Sequence, residues 1–249
     1  MKFIQSVQND KVKSWKKLLS KKGRDKAGQF LVEGYHLVEE ALKHANVTAL
    51  IKDEEAELPA KWNVDGIEIY NTVPAVVKEL AETETSQGIF AVCETIKYEH
   101  LTYQKALLLD GIQDPGNIGT LIRTADAAGM DLVVCGHGCV DVYNSKSLRS
   151  TQGSIFHIPV VKADLATFIP QLQEQGMTVY GTSLQDAVDY REATASDSFA
   201  VVVGNEGNGV SAEVLGLCDR NLYIPIYGQA ESLNVTVAAG ILLYSLQNG

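Results

Sequence analysis

The sequence predicts an α/β fold, with a mostly parallel β-sheet in the second half of the chain and a small α/β domain before it. From residue 106 onward, short apolar runs alternate with helical patterns, which is typical of parallel strands covered by helices on both faces. Before residue 94, short strands and helices alternate over about ninety residues, and the polar stretch 94–104 follows them. We therefore expect a first domain at 1–98, a linker at 99–105 and a second domain at 106–249.

In the first domain, apolar residues at helical spacing follow a break at Gly34 and predict a helix. Pro74 favours the start of another helix, because proline fits the first helical turn. The predicted elements are, in order, a strand at 30–33, a helix at 35–42, strands at 48–51 and 67–70, a helix at 74–81 and a strand at 89–93.

The second domain repeats strand and helix several times. Its predicted strands are at 106–110, 132–135, 155–160, 177–181, 199–203 and 222–226, and its predicted helices are at 117–128, 145–151, 164–175, 211–217 and 232–246. We expect Asn117 to cap the first of these helices and Ser232 to cap the last, which is apolar nearly all round and should be buried. Ligands of such sheets bind at the carboxyl ends of the strands, so residues just after each strand are candidates for function.

Charge is distributed unevenly along the chain. The net charge is −10, but residues 1–28 contain nine Lys/Arg and two Asp/Glu, a local balance of +7 that leaves −17 on the other 221 residues. Two interpretations of the basic stretch 11–26 stay open: a solvated helix face, or an arm that contacts the phosphates of a nucleic acid.

Several classes of protein are excluded or disfavoured. No apolar run is long enough to span a bilayer, and the N-terminal stretch lacks the apolar region of a signal peptide, so we expect a cytoplasmic protein. The four cysteines do not predict a disulfide framework. Cys135, His137 and Cys139 offer three ligands where zinc normally takes four, so no metal site is expected. The glycine-rich stretch 204–209 has neither a dinucleotide fingerprint nor a P-loop, which argues against a nucleotide-dependent oxidoreductase or phosphotransferase.

Two polar stretches follow predicted strands of the second domain. After the first strand, Asn117 and Arg123 lie on one polar helix face, and Arg123 either forms a surface salt bridge with Asp126 or offers its donors to a phosphate or carboxylate. After the fifth strand, the glycines of 204–209 permit close approach of the backbone to a ligand. Glu206 within this stretch is either a helix cap or a functional carboxylate, and the residues alone leave both alternatives open.

Taken together, three stretches resemble the motifs of the SpoU (TrmH) family of RNA ribose 2′-O-methyltransferases, in the same order and with the same spacing. They are Asn117-Ile-Gly-Thr-Leu-Ile-Arg123, Gly204-Asn-Glu-Gly-Asn-Gly209, and Ile224-Pro-Ile with Glu231-Ser-Leu-Asn-Val235. In the first domain, Phe30-Leu-Val-Glu-Gly34 and Gln87-Gly-Ile89 are similar to the substrate-binding domain often fused ahead of this family, which itself resembles RNA-binding ribosomal proteins. Ser86 departs from this pattern, since a proline is common before Gln-Gly-Ile.

The resemblance implies a SPOUT-like sheet whose C-terminal segment forms a trefoil knot, S-adenosylmethionine as the cofactor, and a homodimer whose site is completed at the subunit interface. The residues that it implies for cofactor binding are Thr182, Gly204, Asn205, Gly207, Ile224, Ile226 and Leu233. The residues that it implies for methyl transfer are Asn117, Arg123, Glu206, Ser232 and Asn234. We expect Arg123 to hold a phosphate and stabilise charge, because a guanidinium with a pKa above about 12 is a poor proton acceptor.

The resemblance therefore predicts an enzyme that methylates a ribose 2′-hydroxyl of RNA. Ribosomal RNA is favoured over transfer RNA because the first domain resembles ribosomal proteins, which is an analogy at the level of the fold. The alternative is a non-catalytic RNA-binding protein that keeps the cofactor pocket. Loss of Asn117, Arg123, Glu206 or Asn234 would favour that alternative, and all four are present.

Overall fold

A computed structural model describes residues 2–193 and 197–247 of the chain. These residues form two compact units. The first contains the residues up to Tyr98 together with Asp141–Phe156, and the second contains Glu99–Val140 and the residues from His157 onward. The segment Asp141–Phe156 thus belongs to the first unit, although it lies within the second half of the sequence.

Strands and helices alternate through most of the chain. The strands are β1 (Lys2–Ile4), β2 (Gln29–Glu33), β3 (Val47–Asp53), β4 (Glu68–Thr72), β5 (Ile89–Glu94), β6 (Lys105–Asp110), β7 (Leu132–Cys135), β8 (Val160–Lys162), β9 (Thr178–Thr182), β10 (Val188–Asp189), β11 (Phe199–Gly204) and β12 (Arg220–Tyr223). The helices are α1 (Asp10–Lys17), α2 (Lys21–Ala27), α3 (Tyr35–His44), α4 (Pro74–Leu80), α5 (Pro115–Ala127), α6 (Ser145–Thr151), α7 (Leu165–Glu174), α8 (Ala212–Leu215) and α9 (Val235–Gln247).

The first unit is built on a mixed sheet in the order β1-β4-β3-β5-β2. β4 pairs in parallel with β1 and β3, while β5 pairs antiparallel with β2 and β3. Helix α1 contributes Val12 and Trp15 to the core, and the Trp15 ring meets Tyr70 edge-on at a centroid distance of 5.0 Å. The basic stretch at the N-terminus is therefore folded into this unit, with its lysines on the outside.

The second unit is built on a seven-stranded sheet in the order β10-β12-β9-β11-β6-β7-β8, and every pair in it is parallel. The central strand β11 is buried along its whole length and its neighbour β6 at all but its two end residues, as expected for a sheet covered on both faces. Helix α9 packs against α5 and β11. The predicted α/β class with a large parallel sheet is confirmed, and the knot stays a prediction.

Most element predictions are confirmed within a few residues, but two strands differ. The strand predicted at 155–160 is wrong: Ser154–Phe156 forms a 3-10 turn, and β8 begins only at Val160. An apolar run is buried in either conformation, so apolarity alone could not distinguish them. The strand predicted at 222–226 ends at Tyr223, because Pro225 has no N–H to donate to a neighbouring strand. Two short strands, β1 and β10, were not predicted.

Both predicted helix caps are wrong by a few residues. Helix α5 begins at Pro115 and is capped by Asp114, whose Oδ1 accepts from the backbone N–H of Asn117 at 2.9 Å. Helix α9 begins at Val235, and the Oδ1 of Asn234 accepts from the N–H of Thr236 at 2.9 Å. Ser232 lies outside the helix and is exposed. In both cases two residues with capping side chains lie within a few positions of each other, and the residue that caps the helix is the one that was not predicted.

The expectation that α9 is buried all round is also wrong. Leu242, Leu243 and Leu246 are buried, but Val237 and Tyr244 on the other side of the helix are each 50% exposed. Gly240 faces α5 of the same chain, where a Cβ atom would lie 3.7 Å from Thr124 Cγ2. Among the helices of the part of the chain that the structure describes, none is long and apolar enough to cross a membrane.

Candidate active site at the carboxyl edge of the parallel sheet

The strand order places the ends of four strands next to one another at one edge of the sheet. Strands β12, β9, β11 and β6 are successive neighbours, and all four run in the same direction. The loops that follow them therefore leave from the same edge. Three of these loops contain the motif residues, so the topology brings together stretches that are about a hundred residues apart in sequence.

Glu206 is the centre of a hydrogen-bond network at this edge. Its Oε1 accepts from the Asn117 side-chain amide at 2.9 Å. The backbone N–H groups of Gln113 and Asp114 also point to the carboxylate, at 3.3 Å each. Burial by itself would raise the pKa of Glu206, but the hydrogen bonds from Asn117 and the backbone N–H groups outweigh it and lower the pKa. The Glu206 carboxylate is therefore ionised at neutral pH and fixed by the loop before α5.

Asn234 extends this network from the other side. Its side-chain amide donates to Asn117 Oδ1 at 3.4 Å, and its own Oδ1 caps α9. The Asn234 side chain thus caps α9 and contacts Asn117 at the same time. Asn117, Glu206 and Asn234, which come from three separate motifs, form one hydrogen-bonded group.

Arg123 lies two turns along α5 from this group and is exposed. Asp126, its expected partner, instead pairs with His157, whose Nδ1 lies 3.1 Å from Asp126 Oδ2. Within 2–193 and 197–247, Arg123 makes no ion pair, so the salt-bridge interpretation is wrong. Ser232, like Arg123, is a predicted catalytic residue that the network does not include, and no hydrogen bond from its side chain is found in the described part of the chain.

The glycine-rich loop after β11 is held by the loop after β6. Asn205 donates its side-chain amide to the Gly111 carbonyl at 2.8 Å and accepts from the N–H of Gly207 at 2.9 Å. The Asp110 carboxylate accepts from the N–H of Ser211 at 2.8 Å. The sequence analysis did not select Asp110 or Asp114 as site residues. The available signals were that Asp110 is an acidic residue at the end of a strand and that Asp114 comes just before a proline that starts a helix.

The glycines of this loop differ in what they permit. A Cβ atom at Gly204 would lie 2.1 Å from the carbonyl carbon of Gly209, so this glycine is required by the close return of the loop on itself. A Cβ atom at Gly207 would lie no closer than 3.5 Å to Asn205 Oδ1, which is an ordinary contact. Only Gly207 of the two leaves space at the surface of the loop.

Comparison with known proteins agrees with this geometry. Residues 104–244 match the model of the SpoU rRNA Methylase family, and residues 9–91 match an MRM3-like substrate binding domain. The chain belongs to the SpoU rRNA methylase family. It is 52% identical over 249 residues to the 23S rRNA (guanosine(2553)-2′-O)-methyltransferase RlmP of Bacillus subtilis. The match covers 99% of this chain and 100% of the relative.

Solved structures of the SpoU family are also similar along nearly the whole chain. The AdoMet-bound rRNA methyltransferase of Sinorhizobium meliloti is 31% identical with a TM-score of 0.88, covering 99% of this chain and 97% of that one. The SpoU methyltransferase AviRb of Streptomyces viridochromogenes, in complex with the cofactor AdoMet, is 29% identical with a TM-score of 0.85, covering 96% and 97%.

The residues expected to bind the cofactor of a SpoU enzyme lie at the same edge and have suitable chemistry. Ile224 and Ile226 are half-buried, and Leu233 is 36% exposed, so the loop after β12 presents apolar surface. The Thr182 hydroxyl at the end of β9 donates to the Val202 carbonyl at 3.0 Å, which ties β9 to β11. Apolar side chains beside backbone polar groups are what a planar purine requires, so the residues present fit S-adenosylmethionine.

Proposed function

We propose that this SpoU enzyme methylates the ribose 2′-hydroxyl of a guanosine in 23S ribosomal RNA, at the position for which its Bacillus relative is named. The observation that carries the proposal is the network of Asn117, Glu206 and Asn234 with Arg123 nearby on α5, an arginine that makes no ion pair with any residue that the structure describes. Identity of 52% over the full length of both chains supports the same substrate. The MRM3-like match over residues 9–91 supports a role for the first unit in holding the RNA.

The chemistry requires a ribose hydroxyl to lose its proton while its oxygen attacks a methyl carbon. S-Adenosylmethionine, when bound, supplies that methyl group on a positively charged sulfur. The protein's task is to align the hydroxyl and to stabilise the negative charge that develops on its oxygen. The guanidinium of Arg123 is permanently charged, so it serves as a clamp for the neighbouring phosphate and as the stabiliser of this charge.

Glu206 has a positioning role in this proposal. A carboxylate whose pKa is lowered by several hydrogen bonds is a weak base at neutral pH, so Glu206 does not remove the proton. Instead it holds the Asn117 side chain, which together with Asn234 presents amide groups to the ribose. The proton leaves to water or to a phosphate oxygen of the RNA.

The cofactor occupies the loops after β9, β11 and β12. In this proposal Thr182, Gly204, Asn205 and the open side of Gly207 form its polar wall. The apolar wall consists of Ile224, Ile226 and Leu233. Ser232, next to Leu233 on an exposed loop, would reach the substrate only after RNA binds.

The active form is a homodimer in the cytoplasm, where ribosomal RNA is found. The exposed apolar residues Val237 and Tyr244 lie on the face of α9 turned away from β11 and the core. An apolar face on a helix next to the active-site loop is the kind of surface that a second subunit covers. The cap residue of the same helix, Asn234, belongs to the active-site network, so a subunit on this face would lie next to the site.

The test is to incubate the protein with radiolabelled S-adenosylmethionine and three RNAs: a 23S transcript with the target guanosine, the same transcript with 2′-deoxyguanosine there, and bulk transfer RNA. We expect label only in the first, in an alkali-resistant linkage at that nucleotide. Label in the transfer RNA alone would support the alternative substrate. Label in none of the three RNAs, with intact cofactor binding, would support a non-catalytic RNA-binding protein.

A further inference from the structure

The two most exposed large apolar side chains in the described residues lie at the same edge of the parallel sheet. Tyr227, in the loop after β12, is 86% exposed, and Leu184, in the loop after β9, is 65% exposed. Strands β9 and β12 are direct neighbours, with Thr182 paired to Leu222. Single exposed apolar residues are common on protein surfaces, but these two follow adjacent strands at the edge that carries the candidate active site.

Tyr227 is exposed but lies within the electrostatic reach of a cation. The Arg191 guanidinium pairs with the Asp189 carboxylate, with Nε to Oδ1 at 2.9 Å, and interacts electrostatically with Tyr227. The same guanidinium lies 5.9 Å from the ring centre of Tyr190. Arg191 itself keeps 57% of its side chain exposed. Tyr227 therefore offers a largely exposed aromatic ring in the loop after β12.

We propose that Tyr227, with Leu184 beside it, is a stacking platform for an unpaired base of the RNA next to the methylated ribose. The inference rests on the proposed function, because it assigns a further RNA contact to that site. Sequence-specific RNA recognition mostly targets unpaired nucleotides, and proteins stack the free bases of such nucleotides on aromatic side chains.

Two other uses of this tyrosine make different predictions. If Tyr227 lined the cofactor pocket, its loss would weaken the affinity for S-adenosylmethionine. If it belonged to a subunit interface, its loss would change the oligomeric state. A stacking platform requires a flat ring but not the hydroxyl, so the affinity for RNA should depend on the aromatic face alone.

The experiment compares Y227A, Y227L and Y227F with the unmodified protein. The measurements are the Kd for the 23S transcript by filter binding, KM and kcat for methyl transfer, the Kd for S-adenosylmethionine by calorimetry, and the mass by light scattering. Stacking predicts that Y227A and Y227L raise the RNA Kd and KM by between roughly 5-fold and 150-fold. Y227F should stay within about twofold, and L184A should have a smaller effect than Y227A.

Three results would overturn the inference. The first is a Y227L protein that binds RNA as well as the unmodified one, since apolar bulk would then be sufficient. The second is a loss of cofactor affinity as large as the loss of RNA affinity, and the third is a change in mass. Failure of the proposed function is separate, because it appears as absent ribose methylation by the unmodified protein, while the RNA Kd values still test the platform.

Discussion

Charged groups are arranged differently in the two units of the chain. On the first unit, lysines and glutamates pair with each other across the surface, for example Lys61 with Glu39 at 2.7 Å and Lys16 with Glu79. On the second unit, polar groups gather at one edge of the sheet, and Arg123 stays without an ion pair among the described residues. Exposed pairs add little stability, so pairing mainly decides which charges remain available to a ligand.

Two arginines make the contrast specific. Arg24 is buried in the first unit, where Nη1 donates to the Leu18 and Leu19 carbonyls at 2.8 and 3.0 Å and Nη2 pairs with Asp141 at 2.8 Å. All of these partners are structural, and removing the side chain would leave a buried carboxylate and carbonyls unsatisfied. Among the residues that the structure describes, no group loses a hydrogen-bond or ion-pair partner when Arg123 is removed. Its loss should therefore affect function and not folding.

The largest expected effect is that of R123A. Loss of a group that stabilises charge in the transition state should lower kcat for methyl transfer by about a hundredfold to a thousandfold. The Tm and the Kd for S-adenosylmethionine should stay unchanged. R220A is the matched control, because Arg220 is also an exposed arginine of the second unit and, within the described residues, hydrogen-bonds only the Glu192 carbonyl, at 3.3 Å. Equal turnover by R123A and R220A would show that Arg123 has no role in methyl transfer.

The second prediction concerns the exposed face of α9. V237E places a charge on a surface that we propose to be covered by a second subunit, so it should convert a dimer to a monomer and lower activity by at least about tenfold. Light scattering measures the mass. F3E is the matched control, because Phe3 in β1 is also 50% exposed and lies in the first unit. A V237E protein with unchanged mass would exclude this face from the interface.

The third prediction separates two glycines of one motif. In G204A the new Cβ atom would lie 2.1 Å from the Gly209 backbone, so the loop must move, and we expect a loss of about 3 kcal/mol in the free energy of unfolding. In G207A the Cβ has only an ordinary contact, so stability should change by less than about 0.5 kcal/mol. Chemical denaturation measures both. If G207A weakens cofactor binding without loss of stability, Gly207 lies at the cofactor.

These glycines also show how far the sequence could predict the site. The three motif stretches predicted which loops converge, because parallel strands align their carboxyl ends and the motif order fits that topology. The sequence could not predict that Gly204 is needed for packing, since this depends on where Gly209 returns in space. For the cap of α5, Pro115 at the first helical turn favoured Asp114 over Asn117, and this signal was passed over. For α9 the sequence offered no comparable signal to choose Asn234 over Ser232.

The edge strands were missed for a related reason. β1 has three residues and β10 has two, and each is ordered by pairing with a longer neighbour, β4 or β12. Their residues carry no periodicity that a pattern could detect at that length. By contrast, β6 and β11 each contain four or more consecutive buried residues, and both were predicted within one or two residues of their ends.

The fourth prediction uses the ionisation of Glu206. Its folded pKa is lowered from the ordinary 4.5, so its charge contributes stability above the unfolded pKa, and this contribution is lost as the pH falls through the lowered folded pKa. E206Q should therefore have a lower Tm than the unmodified protein between pH 6 and 8. The difference should shrink below pH 4.5. Activity should fall about tenfold at neutral pH, because a neutral amide holds the Asn117 side chain less firmly than a carboxylate does. A difference in Tm that stays constant with pH would contradict the ionic role.

The smallest expected effect comes from replacing exposed lysines of the first unit. Lys17, Lys22 and Lys26 are exposed on or beside α1 and α2 and make no ion pair within the described residues. If the basic stretch binds phosphates, replacing these three by glutamine should reduce the slope of log K against log salt by about 0.7 to 0.9 for each phosphate that is no longer bound. Deleting residues 1–28 is a poorer test, because it also removes Val12 and Trp15 from the core.

The matched control replaces three paired lysines, Lys16, Lys43 and Lys61, by glutamine. Both triple variants lose the same charge, so a purely long-range effect would lower RNA affinity equally in the two. A reduced salt slope in the first variant alone would show that phosphates bind where the protein leaves its own cations unpaired. Equal salt slopes for the two triple variants would show that the basic stretch is a solvated helix face. Cations available to the RNA would then be expected only at the edge of the parallel sheet, where Arg123 lies.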